Sequence, residues 1–170
     1  MQPRPVQVAV IGKGVADDEL EGYAEDVGRR LAEEGARVVC GGLGGVMSAV
    51  ARGASQAGGD VIGIVPTEEP EQANEHCTHV VAAGVGYARN LAVVASADVV
   101  IAIGGEWGTL SEIGHARQFG RPVVALASWT LTAGGEIPGG LGIEVADDPG
   151  GAVRLALATA AERRAARAER

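Results

Sequence analysis

The sequence predicts an α/β protein built on a parallel sheet. Short apolar runs alternate with stretches of helical period along the 170 residues, and strands separated by helices pair in parallel through right-handed crossovers. The 27 glycines and the 3% of aromatic residues indicate a core of Val, Ala, Ile and Leu with many glycine turns. We therefore predict a Rossmann-like, doubly wound sheet of six or seven strands with helices on both faces. At this length the chain is expected to form one domain, 1–170.

Each predicted strand is a short, mostly apolar run with glycine or proline close to one of its ends. The run 98–103 has the pattern of a strand buried on both faces, whereas 77–82 is a weaker candidate. Residues 67–76 hold four acids and no apolar period, which predicts an exposed loop, and the glycine-rich stretch 132–142 predicts a loop without secondary structure. The predicted strands are 6–11, 36–40, 60–65, 77–82, 98–103 and 122–126, and a short seventh strand would lie near 142–145.

The helices are predicted from caps and apolar faces. Asp17 or Asp18 is expected to cap the first helix, and Gly35 to end it. Pro149 suits the first turn of the last helix, whose charged, alanine-rich end at about 163–170 is expected to fray. The predicted helices run from about 17 to 34, from 46 to 57, from 87 to 97, from 109 to 119, and from 149 onward.

Composition and charge exclude several classes of function. A formal net charge of −8 argues against a general nucleic-acid binder, although backbone amides and one or two arginines can still hold a single phosphate. Cys40 and Cys77 lack metal-ligand or CxxC spacing, which predicts small buried thiols in a reducing compartment. No apolar run reaches the ~20 residues of a membrane span, and the N-terminus has no signal-peptide pattern. We expect a cytoplasmic protein with no membrane partner, no metal and no cofactor.

Two glycine clusters follow predicted strands. Gly41-Gly-Leu-Gly-Gly45 comes after the second strand and Gly104-Gly105 after the fifth, and each precedes a predicted helix. Small residues before a helix N-terminus leave backbone N–H groups around an open space, which suits a phosphate. Both clusters, and Gly12-Lys13-Gly14 after the first strand, are expected at the carboxyl edge of the sheet, where ligands of such folds bind. A nucleotide-sized ligand is therefore the leading hypothesis. The chain lacks a Gly-x-Gly-x-x-Gly motif followed by an acid ~20 residues later, which argues against an ordinary NAD site.

Glu112 and Arg89 are the main candidates for chemistry. Glu112 lies three residues after Thr109, in the predicted first turn of a helix. It is either a helix-start acid that closes a capping box with Thr109, or a carboxylate beside the phosphate site that stabilises positive charge on a ribosyl group. Arg89 begins a mostly apolar helix, and it is either a snorkelling surface residue or a ligand group at the same edge.

Other polar and aromatic residues near the glycine clusters leave alternatives open. Trp107 either stacks on a base or covers an interface. Glu106 is expected to point to solvent or to pair with a cation, because an acid beside a phosphate is unfavourable. A turn lysine such as Lys13 is more often solvated than bound, and a lone helical histidine such as His115 more often packs than catalyses.

The segments Cys40-Gly-Gly-Leu-Gly-Gly-Val-Met47 and Gly104-Gly-Glu-Trp-Gly-Thr-Leu-Ser-Glu112, with Pro66 and Arg89 between them, resemble the Lonely Guy superfamily. The resemblance covers about residues 6–127. Members are Rossmann-like proteins that are often mislabelled lysine decarboxylases, and the characterised ones are cytokinin riboside 5′-monophosphate phosphoribohydrolases. Asn90, where those enzymes have lysine, is more similar to a bacterial branch that resembles the algal molybdenum-cofactor carrier proteins.

The resemblance implies a set of site residues. Arg89 and Glu112 fall on the catalytic arginine and glutamate of the family, and Gly108 and Thr109 fall on its phosphate-binding Gly-Thr. Together with the edge position, it implicates these residues in binding a nucleotide: Gly12, Lys13, Gly41, Gly42, Gly44, Gly45, Met47, Asn90, Gly104, Gly105, Trp107, Gly108 and Thr109.

Two functions follow as expectations. In the first, the protein hydrolyses the N-glycosidic bond of a nucleoside 5′-monophosphate to free base and ribose 5-phosphate. Glu112 would stabilise the oxocarbenium-like transition state and position water, and Arg89 would orient the ribose or the leaving group. In the second, the protein is a non-catalytic carrier of a phosphorylated pterin, of molybdenum cofactor or of a signalling nucleotide. A DNA-processing role, known for a more distant superfamily relative, is disfavoured by the negative charge.

The resemblance also implies a homodimer or a larger even-numbered assembly with sites near the interface. Residues 91–95 read Leu-Ala-Val-Val-Ala, so apolar groups extend around more of the predicted helix 87–97 than one contact with the sheet needs. The alternative is that the C-terminal helix covers this helix within one subunit.

Overall fold

A computed structural model describes residues 4–131 and 142–169 and shows a single sheet in that part of the chain. Every strand pairs in parallel with its neighbours. The strands are β1 Gln7–Gly12, β2 Arg37–Cys40, β3 Val61–Val65, β4 His79–Ala82, β5 Val99–Ile103, β6 Val123–Leu126 and β7 Ile143–Ala146. The helices are α1 Asp18–Glu33, α2 Val46–Gln56, α3 Arg89–Ala95, α4 Trp107–Gln118 and α5 Pro149–Ala168. The loop predicted over 132–142 lies, except for Gly142, outside the described residues.

The strand order places a ligand crevice near the middle of the sheet. The order is β4-β3-β2-β1-β5-β6-β7, so the chain first builds outward from β1 to β4 and then returns to add β5 on the other side of β1. Ligands of doubly wound folds bind outside the carboxyl ends of the strands where the order reverses, which here is between β1 and β5. The predicted Rossmann-like α/β fold is confirmed, with seven strands in its sheet.

The two faces of the sheet are covered unequally. Helices α1, α2 and α5 pack on one face and the shorter α3 and α4 pack on the other. Both faces are nevertheless buried at strand β5. Val99, Ile101 and Ile103 point to the first face, and Val100 and Ala102 point to the second. This alternation confirms the prediction that the fifth strand is buried on both sides.

Two helices differ from their predicted bounds near the carboxyl edge. The helix predicted over 87–97 is a 3-10 turn, Gly86–Ala88, followed by α3. It ends early because the Asp98 N–H donates to the carbonyl of Gln7, which draws the chain into the sheet. Helix α4 begins two residues before the predicted start at Thr109, because Glu106 is extended and its carbonyl accepts the first helical bond, from the Leu110 N–H.

The C-terminal helix and the acidic loop both contact the body of the protein. Helix α5 continues to Ala168, through the segment that was expected to fray, and Arg163 and Arg164 bond to residues outside the helix. Arg163 donates to the carbonyl of Gly120, and Arg164 donates to the carbonyls of Arg4 and Pro5. The loop predicted to be exposed over 67–76 is exposed at 68–72 and at 75, but it includes the 3-10 turn Pro70–Gln72, and Asn74 donates to the carbonyl of Leu43. Across the described residues, no helix has both the length and the apolar character that a bilayer crossing requires.

Candidate functional site

A cavity of about 290 Å³ opens at the carboxyl ends of β1, β2 and β5, at the point where the strand order reverses. Helices from both faces of the sheet form its walls: α2 contributes one wall, and α3 and α4 contribute another. The sequence-predicted residues that line it are Gly12, Gly41, Met47, Arg89, Asn90, Gly108, Thr109 and Glu112. The fold therefore brings both candidate catalytic residues into one cavity.

The sequence predicted Glu112 in the first turn of its helix. It lies instead in the second turn of α4, because the helix begins at Trp107. The capping-box alternative is therefore wrong: the N-cap residue is Glu106, and Thr109 is already the third residue of the helix. The Glu112 side chain is buried, with 7% exposed, and among the described residues no donor bonds to its carboxylate. Burial raises the pKa of Glu112 to about 7, although the nearby Arg89 guanidinium opposes this rise.

Arg89 is buried at the start of α3, so the alternative of a snorkelling surface residue is wrong. Its Nη1 donates to the Asn90 Oδ1 at 2.6 Å, and its Nη2 lies 3.9 Å from the Met47 Sδ. The Nε is buried and has no partner among the described residues. Desolvation lowers the pKa of Arg89. A buried guanidinium with a free donor beside a cavity is suited to bind an anion.

The N-terminus of α4 supplies further donors to the cavity. No side chain caps this helix, and its first helical bond comes from the Leu110 N–H. The N–H groups of Trp107, Gly108 and Thr109 thus precede the intrahelical bonds. Gly108 and Thr109 line the cavity, so their N–H groups and the positive end of the helix dipole favour a negative ligand there. Glu106 is exposed, as expected. It also lines the cavity, although it was expected to point to solvent or to pair with a cation.

The helix N-terminus after the first glycine cluster bonds to a backbone carbonyl, whereas the one after the second cluster is uncapped. Gly45 is the N-cap of α2 with φ 59°, and the N–H of Val46 donates to the carbonyl of Lys13 at 3.0 Å. The turn after β1 therefore lies against the N-terminus of α2, and the backbone of Lys13 takes the place that an anion would occupy. From this cluster Gly41 and Leu43 reach the cavity, whereas Gly42, Gly44 and Gly45 do not.

Several other predicted residues lie outside the cavity. A Cβ at Gly104 would meet Leu20, and a Cβ at Gly105 would meet the Trp129 ring, so these glycines allow close packing. Trp107 is 78% exposed and its ring centroid lies 5.6 Å from that of Trp129. Lys13 contributes its backbone to the α2 contact, and its side chain does not line the cavity.

Sequence reasoning missed part of the cavity wall. The lining residues that were not predicted are Val10, Ile11, Gly14, Leu43, Tyr87 and Glu106. Tyr87 is 91% exposed at the mouth of the cavity, and its place two residues before Arg89, in a chain with two tyrosines, is a signal that could have found it. Strand residues Val10 and Ile11 carried no such signal, because their side chains read as core.

Residues 5–147 match the model of the SLOG cluster4 family. The chain belongs to this family. An uncharacterized protein of Archaeoglobus fulgidus is 41% identical over 121 residues, which cover 71% of this chain and 80% of that protein. The similarity to the Lonely Guy-like superfamily and to its carrier-like branch, inferred from the motifs, is thereby confirmed at the level of the family.

Solved structures with similar folds include two molybdenum-cofactor proteins. The molybdenum cofactor binding protein of Rippkaea orientalis is 30% identical, with a TM-score of 0.85 over 92% of this chain and 98% of that chain. The Moco carrier protein of Chlamydomonas reinhardtii is 28% identical, with a TM-score of 0.81 over 94% and 99% of the two chains. DNA processing protein A of Helicobacter pylori, whose structure concerns binding of single-stranded DNA, has a TM-score of 0.68 at 19% identity. That last likeness shows the fold alone.

Proposed function

We propose that the protein binds a phosphorylated small molecule with a planar heterocycle, such as a nucleoside 5′-monophosphate or a phosphorylated pterin, in the cavity at the strand-order reversal. The observation that carries this proposal is the pairing of a buried, partly unsatisfied Arg89 with the uncapped N-terminus of α4. Both favour a phosphate, and they line the same space. The phosphate would accept bonds from the N–H groups of Gly108 and Thr109.

The remaining walls suit the rest of such a ligand. The cavity volume of about 290 Å³ is near the lower end of the ~300–1,000 Å³ common for small-molecule sites, which favours one phosphorylated heterocycle over a dinucleotide. Apolar groups of Leu43 and Met47 line the cavity, and the exposed ring of Tyr87 lies at its mouth. A flat ring system would pack on these groups once the phosphate fixes its position.

Two activities are consistent with this binding mode, and each has its own support. The similarity to molybdenum-cofactor proteins over nearly the whole chain favours a carrier that binds without turnover. The buried, unbonded Glu112, with a pKa raised to about 7, favours hydrolysis of an N-glycosidic bond. In that reaction Glu112 would stabilise positive charge on the ribose and position water, while Arg89 would orient the substrate.

One experiment separates the two activities. The protein is incubated with AMP, GMP, CMP, UMP and isopentenyl-AMP, and free base and ribose 5-phosphate are measured alongside the dissociation constant. Turnover that disappears in Glu112→Gln, while the control Glu71→Gln in the exposed acidic loop keeps it, supports the hydrolase. Binding without turnover supports the carrier, and absence of both binding and turnover for all compounds contradicts nucleotide binding.

We also propose that the protein forms a homodimer or a larger even-numbered assembly through the face of α3. Leu91 is 38% exposed, and Ala92 and Ala95 are exposed beside it. The C-terminal helix does not cover them, because α5 packs on the opposite face of the sheet. Val93 is fully buried, so within the apolar run 91–95 it belongs to the core and not to this exposed face.

Light scattering at micromolar concentration tests this assembly. Leu91→Asp should convert the assembly to a monomer of about 17 kDa with little change in thermal stability. Glu71→Gln, on the exposed acidic loop, should leave the mass of the assembly unchanged. A wild-type protein that is already monomeric contradicts the proposal.

A further inference from the structure

Beyond the cavity, the fold brings the two cysteines of the chain together. Cys40 ends β2 and stands in register with Gly63 of β3, and register partners on neighbouring strands project to the same face of the sheet. The space left by the missing side chain of Gly63 is filled by Cys77, because a Cβ at Gly63 would lie 2.5 Å from the Cys77 Sγ. Both cysteines pack in the same core cluster. The sulfur of Cys77 therefore lies beside the side chain of Cys40.

The two thiols differ in access and acidity. Cys40 is buried, and Cys77 is partly exposed. Hydrogen bonding with the Cys40 thiol lowers the pKa of Cys77, and Asn74 adds to this effect. The same interaction, together with burial, raises the pKa of Cys40. Since the thiolate is the nucleophile, Cys77 is the thiol that attacks an oxidant, and Cys40 is placed to react with the product.

The thiol pair is connected to the wall of the ligand cavity. Cys40 is followed directly by Gly41, where a Cβ would lie 2.5 Å from the Met47 Sδ and 2.6 Å from the guanidinium nitrogens of Arg89. On the other side, the Asn74 Nδ2 donates to the carbonyl of Leu43 at 3.0 Å, and its N–H donates to the carbonyl of Gly42 at 2.8 Å. A movement of Cys77 toward Cys40 thus acts on residues 41–43 from both ends.

We propose that Cys40 and Cys77 form a reversible disulfide in response to peroxides, and that this bond changes the shape of the cavity wall at residues 41–43. The Cys77 thiolate attacks one oxygen of the peroxide and becomes a sulfenic acid, and the O–O bond breaks to release water or an alcohol. The Cys40 thiol then attacks the sulfenic sulfur, forms the S–S bond and releases water. A dithiol reductant reverses the reaction by exchange. This inference does not depend on which ligand the cavity binds.

Oxidation of the full chain with hydrogen peroxide, followed by intact mass and peptide mapping, tests the covalent step. We expect the loss of two hydrogens, a peptide that links residue 40 to residue 77, and recovery of both thiols with dithiothreitol. Cys40→Ser should stop at a sulfenic or more oxidised Cys77, and Cys77→Ser should resist the same treatment. Over-oxidised Cys77 beside a reduced Cys40 in the wild type, or disulfides between molecules, would overturn the proposal.

Amide hydrogen exchange tests the link to the cavity without any ligand. The disulfide form should differ from the reduced form in exchange across residues 41–47, and peroxide should produce no such difference in Cys77→Ser. Residues 113–118 of α4 serve as an internal control, since α4 packs on the opposite face of the sheet from Cys40, and should exchange equally in both forms. A disulfide that forms with unchanged exchange at 41–47 contradicts the effect on the cavity.

Discussion

Two buried carboxylates lie at opposite ends of β5 and have opposite chemistry. Asp98, just before the strand, is 2% exposed and accepts bonds from both guanidinium groups of Arg4 and Arg164 and from the Gln7 N–H. Glu112, beyond the other end of the strand, is also buried, with 7% exposed, and accepts no bond from the described residues. Burial raises the pKa of both groups, but the donors around Asp98 lower its pKa to about 2, whereas that of Glu112 rises to about 7.

The number of hydrogen bonds to a buried acid distinguishes a structural acid from a functional one in this fold. A buried acid whose oxygens are all bonded within the chain stabilises the native state and has no free lone pair for a ligand. A buried acid that lacks donors weakens the native state above its ordinary pKa, and it persists where the site uses it. By this criterion Asp98 is a structural acid that joins Arg4 to Arg164, and we propose that Glu112 serves the ligand site.

Removing the charge of Asp98 should give the largest effect. Asp98→Asn leaves Arg4 and Arg164 without their common partner, so we expect a loss of about 3–5 kcal/mol in the free energy of unfolding at pH 7. Asp60→Asn, which breaks an exposed pair with Arg37, should cost less than about 1 kcal/mol. Urea unfolding measures both.

The acid dependence of Asp98 has a defined sign. Because the folded pKa is depressed to about 2, the contribution of Asp98 is present above the unfolded pKa of ~3.9 and is lost as the pH falls through about 2. The deficit of Asp98→Asn should therefore shrink below pH ~4. A deficit that stays constant to pH 2 would contradict this role.

Glu112→Gln should stabilise the protein at alkaline pH. The folded pKa of about 7 lies above the ordinary value of 4.5, so the folded state binds more protons and wild-type stability falls as the pH rises between these values. We expect a gain of about 3 kcal/mol at pH 8 and almost none at pH 4. Glu71→Gln, in the exposed loop, should show no such dependence. An equal effect of Glu112→Gln at both pH values would mean that Glu112 is already ionised without cost.

Arg89→Ala should weaken binding of AMP by about 1.5–3 kcal/mol, the scale of a charge-assisted hydrogen bond. Arg167→Ala, on the exposed end of α5, is the matched control and should leave the affinity unchanged. Glu112→Gln should also bind AMP nearly as well as the wild type does. Calorimetry that finds the same affinity for Arg89→Ala and the wild type would exclude Arg89 from the site.

The smallest effect sharpens the comparison of the two acids. Arg89 is the neighbour that opposes the rise in the pKa of Glu112, so Arg89→Ala should move this pKa further upward from about 7. Carbon-detected NMR titration of the Glu112 carboxyl measures the change, and the Asp98 carboxyl in the same spectra is the control. An unchanged pKa of Glu112 in this variant would show that the two groups do not interact.

The sequence predicts the strands and their common edge well, because short β-branched apolar runs between glycines have few alternative secondary structures. It predicts the start of α4 poorly, since Thr109 is a favourable capping residue and the extended conformation of Glu106 depends on the tertiary fold. The difference between the two glycine clusters could not be predicted from the sequence either. Only the folded chain brings the carbonyl of Lys13 against the N-terminus of α2.

The two acids show the same limit. Asp98 is only the first residue of the predicted strand 98–103 in the sequence, because its partners Arg4 and Arg164 are far away along the chain. Glu112 and Arg89 were found through their motifs, but their burial and their missing partners were not. Local patterns identify residues that act on their neighbours, whereas long-range pairing decides which charges stay free.

The most direct test of the site is a crystal structure of the protein soaked with AMP. We expect the phosphate at the N-terminus of α4, within hydrogen-bond distance of the Gly108 and Thr109 N–H groups, with the guanidinium of Arg89 beside the nucleotide. AMP bound elsewhere while the segment 105–109 has no ligand, or no AMP at any site at millimolar concentration, would contradict the proposal that this cavity binds a phosphorylated ligand.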